Sequence, residues 1–376
     1  MRRIVVVGGG IAGVTAASTL RAEGWHGDLT VLSEEDYLPY SRVPLSKGVL
    51  AGTQTSTSAT LTPLPDDVEL SRGCRAVALH AERHVVELSD GTVVPYDGLV
   101  VATGSRARRL TPEGQRGELV IRTLTDVEAI AERVPHADSA VIVGGGFLGM
   151  EVASTLSSLG LSVTVIDRDP PLLRLLGSWL ADLVVASATR HDVRFVLAPD
   201  GVELVGNPVK AVVYEPGTEL QADLVISAVG DHPNVEWLET SGLMLAGGLV
   251  VDDHCLATPR IAGAGDVTVR EASPGAFRRT PHWTNAVVQG QAAARGLLDR
   301  TGPAYTEDPY FWTEQFGLDI KMAGELPFVG KPHVLDGDPA TGSALLQWRQ
   351  AGRTVAAASV NYRVPVVKLK RLAAPD

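Results

Sequence analysis

The sequence has 376 residues, which at about 150 residues per domain predicts two or three domains. Apolar residues make up 45% and charged residues 20%, a composition that excludes wholesale disorder. Acidic residues outnumber basic ones by 44 to 33, and the resulting net charge of −11 argues against a nucleic-acid-binding protein. We also expect no membrane association, because no segment has the roughly 18 consecutive apolar residues of a spanning helix.

The two cysteines, Cys74 and Cys255, lie far apart in the sequence. Their spacing excludes a disulfide scaffold and a CxxC redox pair, and two thiols cannot form a zinc ribbon. The nine histidines show no HExxH spacing, so no pattern supports a metal site. We therefore expect a cytoplasmic protein without a bound metal.

An apolar strand, a glycine-rich turn and a small-residue helix occur twice in the chain. The first copy begins at Ile4–Gly13 (IVVVGGGIAG) and the second at Ala140–Gly149 (AVIVGGGFLG). Both helices lead to a strand rich in β-branched residues, Leu29–Leu32 and Val163–Ile166. Because the pattern recurs deep inside the chain, the first copy is not interpreted as a signal peptide.

Each copy ends in a further apolar strand, Asp97–Gly104 in the first and Asp223–Gly230 in the second. A hairpin turn precedes that strand, at Asp90-Gly91 and at Pro216-Gly217 respectively. Strands that alternate with helices predict an α/β fold with two Rossmann-like, doubly wound dinucleotide-binding domains. The rest of the chain, from about Pro303, predicts strands and polar turns, which indicates a small C-terminal α+β domain.

The glycines of each turn follow the GxGxxG spacing, and each has its own physical task. Gly8 permits the tight turn, Gly10 lets a pyrophosphate approach the backbone, and Gly13 lets the helix pack closely on the strand. The helix that begins with Ile11 and Ala12 presents unpaired N–H groups to the phosphates. The second copy repeats these positions with Gly144, Gly146, Phe147, Leu148 and Gly149.

An acidic residue follows the second strand of each copy. Glu34 lies 21 residues and Asp167 lies 18 residues after the last glycine of its loop, near the position where a carboxylate binds ribose hydroxyls. Because a carboxylate would repel a 2′-phosphate, Asp167 predicts NADH, while Arg168 and Arg174 leave NADPH as the alternative. Two dinucleotide sites in one chain indicate a flavin beside a nicotinamide, and hence an electron-transfer enzyme.

The segment Leu38–Lys47 (LPYSRVPLSK) resembles the FAD-lining segment of the NADH-dependent ferredoxin and rubredoxin reductases. These flavoproteins of the pyridine nucleotide-disulfide oxidoreductase superfamily serve oxygenases and cytochromes P450, and the resemblance covers nearly the whole chain. It implies FAD and NADH as cofactors, with Arg42 and Lys47 close to the flavin and its pyrophosphate. A cation such as Lys47 also stabilises a reduced, anionic flavin.

Further motifs carry the same resemblance. The ATG motif that closes the FAD domain matches at residues 102–104, and a late FAD motif, IAGAGD, ends at Asp266. Glu151 stands where the family places a glutamate against the nicotinamide, and Trp283 begins the helix that the family places beside the flavin. The segment Phe311–Gln315 (FWTEQ) matches a hallmark of the C-terminal domain. Pro281 departs from the family's usual glutamate, so either the flavin potential or the docking of the partner is expected to differ.

These matches define the predicted site and the predicted domains. The predicted catalytic residues are Lys47, Glu151 and Trp283. The predicted cofactor-binding residues are Gly8, Gly10, Ile11, Ala12, Gly13, Glu34, Arg42, Lys47, Ala102, Thr103, Gly104, Asp266, Trp283, Gly144, Gly146, Phe147, Leu148, Gly149, Glu151, Asp167 and Gly230. The predicted domains are a discontinuous FAD-binding domain (1–113 and 235–302), an NAD(P)H-binding domain (114–234) and a C-terminal interface domain (303–376).

The resemblance implies a reductase that takes hydride from NADH onto FAD and passes single electrons to a ferredoxin-type iron–sulfur protein. Val43–Ser46 occupies the stretch where disulfide reductases carry their cysteine, which excludes that activity. Two alternatives stay open: reduction of a small organic acceptor such as monodehydroascorbate or a quinone, and an NADH-sensing flavoprotein that acts by association.

An acidic ferredoxin would need a positive patch on this acidic chain. The candidate basic clusters are Arg278 with Arg279, Lys368 with Lys370 and Arg371, and Arg106 with Arg108 and Arg109. Monomer and homodimer are both compatible with the sequence.

Overall fold

The computed structural model of the chain describes residues 1–299 and 302–374. These residues belong to two compact units. The first unit is Met1–Ser41, Ser56–Arg106 and Asp231–Asp308; the second is Arg42–Thr55, Ala107–Gly230 and Pro309–Asp376. The three predicted domain boundaries stay a prediction, and residues 300, 301, 375 and 376 of those domains lie outside the described residues.

Helices and strands alternate along the described residues and are numbered in chain order. The helices are α1 Ile11–Ala22, α2 Leu124–Ala131, α3 Phe147–Ser158, α4 Leu173–Leu176, α5 Ser178–Arg190, α6 Trp283–Leu298 and α7 Val366–Ala373. The strands are β1 Arg3–Val7, β2 Asp28–Leu32, β3 Glu69–Ser71, β4 Ala76–His80, β5 Val85–Leu88, β6 Val93–Pro95, β7 Gly98–Val101, β8 Ser105–Ala107, β9 Glu118–Val120, β10 Ser139–Val143, β11 Ser162–Asp167, β12 Arg194–Leu197, β13 Glu203–Gly206, β14 Val209–Glu215, β15 Thr218–Gln221, β16 Leu224–Ser227, β17 Asp231–Pro233, β18 Leu249–Val250, β19 Leu256–Thr258, β20 Ile261–Gly263, β21 Thr268–Ser273, β22 Ala276–Arg278, β23 Tyr310–Gln315, β24 Leu318–Gly324, β25 His333–Asp338, β26 Ser343–Gln350 and β27 Arg353–Val360.

The first unit is built on a six-stranded sheet in the order β19-β20-β7-β1-β2-β3. Every neighbouring pair is parallel except β19 with β20. The central strands β1 and β7 are almost wholly buried, as strands of a parallel sheet covered on both faces must be. Helices α1 and α6 pack together so closely that a Cβ on Gly290 would lie 2.6 Å from the carbonyl oxygen of Ala12.

The second unit contains a five-stranded parallel sheet in the order β12-β11-β10-β16-β9. The glycine loop follows the central strand β10 here, just as it follows β1 in the first unit. The two predicted hairpins also form, with β5 and β6 joined at Asp90-Gly91 and β14 and β15 joined at Pro216-Gly217. The predicted pair of Rossmann-like, doubly wound sheets is therefore confirmed.

The C-terminal part of the second unit is an antiparallel sheet in the order β23-β24-β27-β26-β25. Helix α7 covers it and buries Leu369 and Ala373 against Tyr310, Leu345 and Ala357. The predicted C-terminal α+β fold is thus confirmed. Among the described residues, no helix has both the length and the apolar content needed to cross a membrane.

Candidate functional site

The three glycines of the first loop have different surroundings. Gly8 has a φ of +120°, and a Cβ there would lie 2.1 Å from the carbonyl oxygen of Ala102. A Cβ on Gly13 would lie 1.9 Å from the carbonyl oxygen of Gly8. Nothing lies within 4 Å of a Cβ built on Gly10, so this glycine faces open space. The outer glycines are therefore required by turn and packing, and the middle one leaves room for a ligand.

The second loop repeats this arrangement. Gly144 has a φ of +109°, with the Ala228 carbonyl oxygen 2.3 Å from its Cβ position, and Gly149 would meet the Gly144 carbonyl oxygen at 1.9 Å. The atom nearest to a Cβ built on Gly146 is a methyl carbon of Leu175, 3.7 Å away.

Both loops end at an uncapped helix N-terminus. Helix α1 has Gly10 as its N-cap and α3 has Gly146, and neither has a side-chain hydrogen bond at the cap. The first N–H groups of each helix are thus left for another acceptor, and the helix dipole favours an anion there. The residues present fit a dinucleotide pyrophosphate at each loop.

The first unit brings two further predicted FAD-binding segments, Ala102–Gly104 and the loop of Asp266, to the same edge of its sheet, whereas Arg42 and Lys47 belong to the second unit. Thr103, from the segment Ala102–Gly104 beside Gly8, donates its hydroxyl to the Asn234 carbonyl oxygen at 2.8 Å, and the Asn234 amide donates back to the Thr103 carbonyl at 2.9 Å. The loop with Asp266 lies beside the first turn of α1, because a Cβ on Gly265 would be 3.0 Å from the Ala12 Cβ.

Trp283 is the first residue of α6, and its side chain is 38% exposed. The preceding His282 caps this helix: its Nδ1 accepts the backbone N–H of Asn285 at 3.2 Å. Burial lowers the pKa of His282, against the opposing charges of Asp266, Glu307 and Asp308. The neutral form that accepts this hydrogen bond is therefore favoured.

The two predicted ribose-binding acids do not occupy equivalent positions. Strand pairing aligns Val7 with Leu32 and Val143 with Ile166, so the counterpart of Asp167 is Ser33, and Glu34 lies one residue further on. Glu34 is 67% exposed and lies 3.7 Å from Arg75. Its role in binding FAD stays a prediction.

Asp167 is fixed against the second glycine loop. Its Oδ2 accepts the backbone N–H of Gly145 at 2.7 Å, and its Oδ1 accepts the N–H of Arg168 at 2.6 Å. Arg174, which the sequence left as a possible partner of a 2′-phosphate, pairs instead with Asp169 at 3.0 Å. The fixed carboxylate of Asp167 and the pairing of Arg174 with Asp169 both favour NADH over NADPH.

The second unit joins two of the predicted catalytic residues. Lys47 Nζ lies 2.7 Å from Glu151 Oε2, and only 8% of Glu151 is exposed. Lys47 belongs to a single π-helical turn, Leu45–Val49, while Glu151 lies on the second turn of α3. Arg42, close by in sequence, donates to the carbonyl oxygen of Arg122 at 2.5 Å.

Sequence reasoning missed the polar side chains around Glu151. Ser46 donates to Glu151 Oε2 at 2.7 Å, and Thr313 donates to Oε1 at 2.8 Å. Gln315 in turn donates to the Thr313 hydroxyl at 2.9 Å. The one available signal was the alternation in β23, which places Thr313 and Gln315 on the same, buried face of the strand.

The two cysteines have different surroundings. Both are free, and Cys74 contacts the carbonyl oxygen of Arg72 at 3.4 Å. Burial raises the pKa of Cys255 to about 12, so its thiol stays protonated at neutral pH.

Residues 2–290 match the family described as pyridine nucleotide-disulphide oxidoreductase, and residues 310–376 match the family described as reductase C-terminal. The chain belongs to the pyridine nucleotide-disulphide oxidoreductases. Family membership confirms the predicted oxidoreductase with FAD and NADH as its cofactors.

The chain is similar to reductases of electron-carrier proteins. It is 33% identical over 369 residues to the benzene 1,2-dioxygenase system ferredoxin–NAD(+) reductase subunit of Pseudomonas putida, covering 95% of this chain and 89% of that protein. It is 32% identical over 369 residues to a rubredoxin–NAD(+) reductase of Pseudomonas putida, covering 95% of each. In structure, the chain is similar to a chain in the crystal structure of the covalent putidaredoxin reductase–putidaredoxin complex. The two chains have a TM-score of 0.86 and 30% sequence identity, and the match covers 98% of this chain and 91% of that one.

Proposed function

We propose that this chain is an FAD-dependent reductase that takes electrons from NADH and passes them singly to a ferredoxin-type iron–sulfur protein. In this proposal the electron carrier serves an oxygenase or a cytochrome P450. The observation that carries the proposal is the pair of glycine loops, each with an open middle glycine and an uncapped helix N-terminus. One loop suits FAD and the other suits the nicotinamide nucleotide.

When bound, FAD would supply the capacity to take up a hydride from NADH and to give up the two electrons one at a time. The chain's own residues bind and orient. The first unit holds FAD at the loop of Gly10, at Thr103 and at Asp266, and the second unit holds the nucleotide at the loop of Gly146 and at Asp167. Hydride transfer requires no acid or base from the protein, only alignment of the two rings and exclusion of water.

The Lys47–Glu151 pair serves the reacting end of the nucleotide. A buried glutamate that accepts hydrogen bonds at both oxygens and is paired with a lysine has a fixed orientation, and Oε1, which accepts from Thr313 alone, can still accept from the carboxamide of a nicotinamide. Trp283 serves the flavin from the N-terminus of α6. Its position is fixed by the cap at His282 and by the backbone contact of α6 with α1.

A carrier protein as electron acceptor is supported by the relatives, whose names describe reductases of ferredoxin, rubredoxin and putidaredoxin. Two free cysteines, of which Cys255 is buried, are in keeping with both this activity and a reducing, cytoplasmic compartment. A monomer or a homodimer stays our expectation for the oligomeric state.

The test compares electron acceptors. With NADH as donor, the purified holoprotein is assayed with a panel of [2Fe–2S] ferredoxins, with a rubredoxin, and with menadione and monodehydroascorbate. We expect the highest kcat/KM with one of the carrier proteins. A higher kcat/KM for menadione or monodehydroascorbate than for every carrier protein would overturn the proposal in favour of a small organic acceptor.

A further inference from the structure

Three hydrogen-bond donors surround the buried carboxylate of Glu151. Lys47 Nζ and the Ser46 hydroxyl both donate to Oε2 at 2.7 Å, and the Thr313 hydroxyl donates to Oε1 at 2.8 Å. The donors come from the turn Leu45–Val49 and from β23, so two separate segments converge on one side chain of α3. This arrangement is the one that an ionised carboxylate requires.

The Glu151 carboxylate sets the direction of both hydrogen bonds in the series Glu151–Thr313–Gln315. An ionised carboxylate can only accept, so Thr313 must donate its single hydroxyl proton to Glu151. The Thr313 oxygen can then only accept from its other neighbour, and the Gln315 amide nitrogen lies 2.9 Å away. The opposite orientation of the Gln315 amide would bring two acceptors face to face. Gln315 therefore supports this orientation, because a donor at the Thr313 oxygen leaves the Thr313 proton for Glu151.

Gln315 has an unusual environment for this task. Only 3% of the residue is exposed, and its Oε1 has no hydrogen-bond partner among the described residues. An unpaired buried oxygen is unfavourable, and an apolar side chain of similar shape would avoid it. The amide nitrogen, which reaches Thr313, is the part of this side chain that has a defined partner.

Two further contacts hold the segments in place. The Thr155 hydroxyl donates to the Ser46 carbonyl oxygen at 2.7 Å, which ties the turn to α3. The backbone N–H of Phe316 donates to the Ser154 hydroxyl at 2.7 Å, which ties the end of β23 to the same helix. The donors on both sides of Glu151 are thus anchored to the helix that carries it.

We propose that Thr313 and Gln315 are positioning residues that fix the Glu151 carboxylate, with one oxygen toward Lys47 and Ser46 and the other toward Thr313. This inference rests on the proposed function, in which Glu151 serves the nicotinamide. Thr313 acts through its hydroxyl proton, and Gln315 acts by donating to the Thr313 oxygen, which leaves that proton for Glu151. Neither residue has to touch the nucleotide for this effect.

A double-mutant cycle tests the inference. Thr313→Val is nearly isosteric but has no donor, Thr313→Ser keeps the hydroxyl, and Gln315→Leu removes the amide. Each is made in the wild-type background and in Glu151→Gln, and the holoproteins are compared by the rate of flavin reduction under anaerobic NADH and by urea unfolding. Thr313→Val removes one hydrogen bond to a charged group, so we expect it to slow reduction about tenfold in the wild-type background. Gln315→Leu removes a hydrogen bond to the neutral Thr313 hydroxyl, so we expect it to slow reduction in the same direction but less.

In the Glu151→Gln background the same substitutions should change the rate by less than about twofold, and Thr313→Ser should stay within about twofold of wild type. The urea midpoint should also fall less with Thr313→Val in that background than in wild type, because a neutral amide depends less on the third donor.

Equal losses in both backgrounds would overturn the inference, because Thr313 and Gln315 would then act on packing alone. A normal rate in Glu151→Gln itself would overturn it as well. Failure of the proposed function is distinguishable from both results, since it leaves the flavin of the wild-type protein unreduced by NADH.

Discussion

The carboxylate of Asp167 accepts the backbone N–H of Gly145 at 2.7 Å, so the acid at the end of β11 is part of the second glycine loop. This contact fixes a negative charge where the adenosine ribose of the nucleotide is expected. The residue that occupies this position in the first loop is Ser33, which is uncharged. The two loops therefore differ in charge at the position that distinguishes NADH from NADPH.

Asp167→Asn should relax the preference for NADH. The amide oxygen can still accept from Gly145, but the charge that repels a 2′-phosphate is removed, so the ratio of kcat/KM for NADH over NADPH should fall by about 10- to 100-fold. Arg174→Ala is the control and should leave the ratio unchanged, since Arg174 pairs with Asp169. An unaltered ratio in Asp167→Asn would show that this carboxylate does not set the specificity.

Alanine at Gly8 and at Gly10 should have different effects. Gly8→Ala places a Cβ 2.1 Å from the Ala102 carbonyl oxygen at a φ of +120°, so we expect a loss of about 2–4 kcal/mol in the free energy of unfolding. Gly10→Ala meets no protein atom within 4 Å, so the chain should fold while FAD binds at least about tenfold more weakly.

Urea unfolding and the bound flavin-to-protein ratio of the two variants measure this difference. Gly146→Ala is the matched variant of the second loop and should retain FAD while its KM for NADH rises. Full FAD retention by Gly10→Ala would contradict the assignment of the first loop.

His282 should make stability depend on pH. Burial lowers the pKa of His282 in the folded chain below the ordinary value of 6.5, so the unfolded chain binds the proton more readily. The contribution of neutral His282 to the free energy of unfolding is therefore complete above about pH 6.5, and it is lost as the pH falls below that value. His282→Asn keeps a side-chain acceptor for the Asn285 N–H but does not titrate.

The measurement is Tm against pH between about pH 7 and about pH 5 for wild type and His282→Asn. The decline of Tm on acidification should be smaller in the variant. Parallel curves would mean that His282 does not titrate in this range.

The basic clusters differ in how far nearby carboxylates neutralise them. Arg278 pairs with Glu307 at 2.7 Å, and Arg279 pairs with Asp231 at 2.7 Å. Lys368 and Arg371 lie on the exposed face of α7 and have no salt bridge within the ranges 1–299 and 302–374. The pKa of Asp336 is lowered mainly by hydrogen bonds from Tyr362 and Gly337, and the charge of Lys368 makes a smaller contribution.

Lys368→Glu with Arg371→Glu should therefore raise the KM for an acidic ferredoxin about tenfold at low salt, with less effect at high salt. Arg278→Glu, a single reversal at an arginine already paired with Glu307, should raise the KM less than Lys368→Glu does alone. The rate with ferricyanide, a small acceptor, should not change in the α7 variant. If both reversals raise the KM equally, α7 is not the docking surface.

The fold could be predicted because it depends on local patterns that recur. The strand, glycine loop and helix at Ile4–Gly13 return at Ala140–Gly149, and the sheet order follows from that repeat. That Glu34 and Asp167 are not equivalent could not be predicted, because counting residues from a loop does not reveal strand register. Pairing of β1 with β2 places Ser33 there instead.

The surroundings of Glu151 lay beyond sequence reasoning for another reason. Its donors stand at positions 46, 47 and 313, more than a hundred residues away on either side, and only the packing of three segments brings them together. The cap at His282 was missed because histidine is an uncommon N-cap residue.

The central claim is that one chain holds FAD and lets NADH reduce it. The most direct measurement is the visible absorbance spectrum of the purified protein, recorded before and after one equivalent of NADH is added without oxygen. The account predicts a flavin band at about one FAD per chain that bleaches on addition of NADH. A colourless protein that takes up no FAD on reconstitution, or a bound flavin that NADH leaves oxidised, would contradict it.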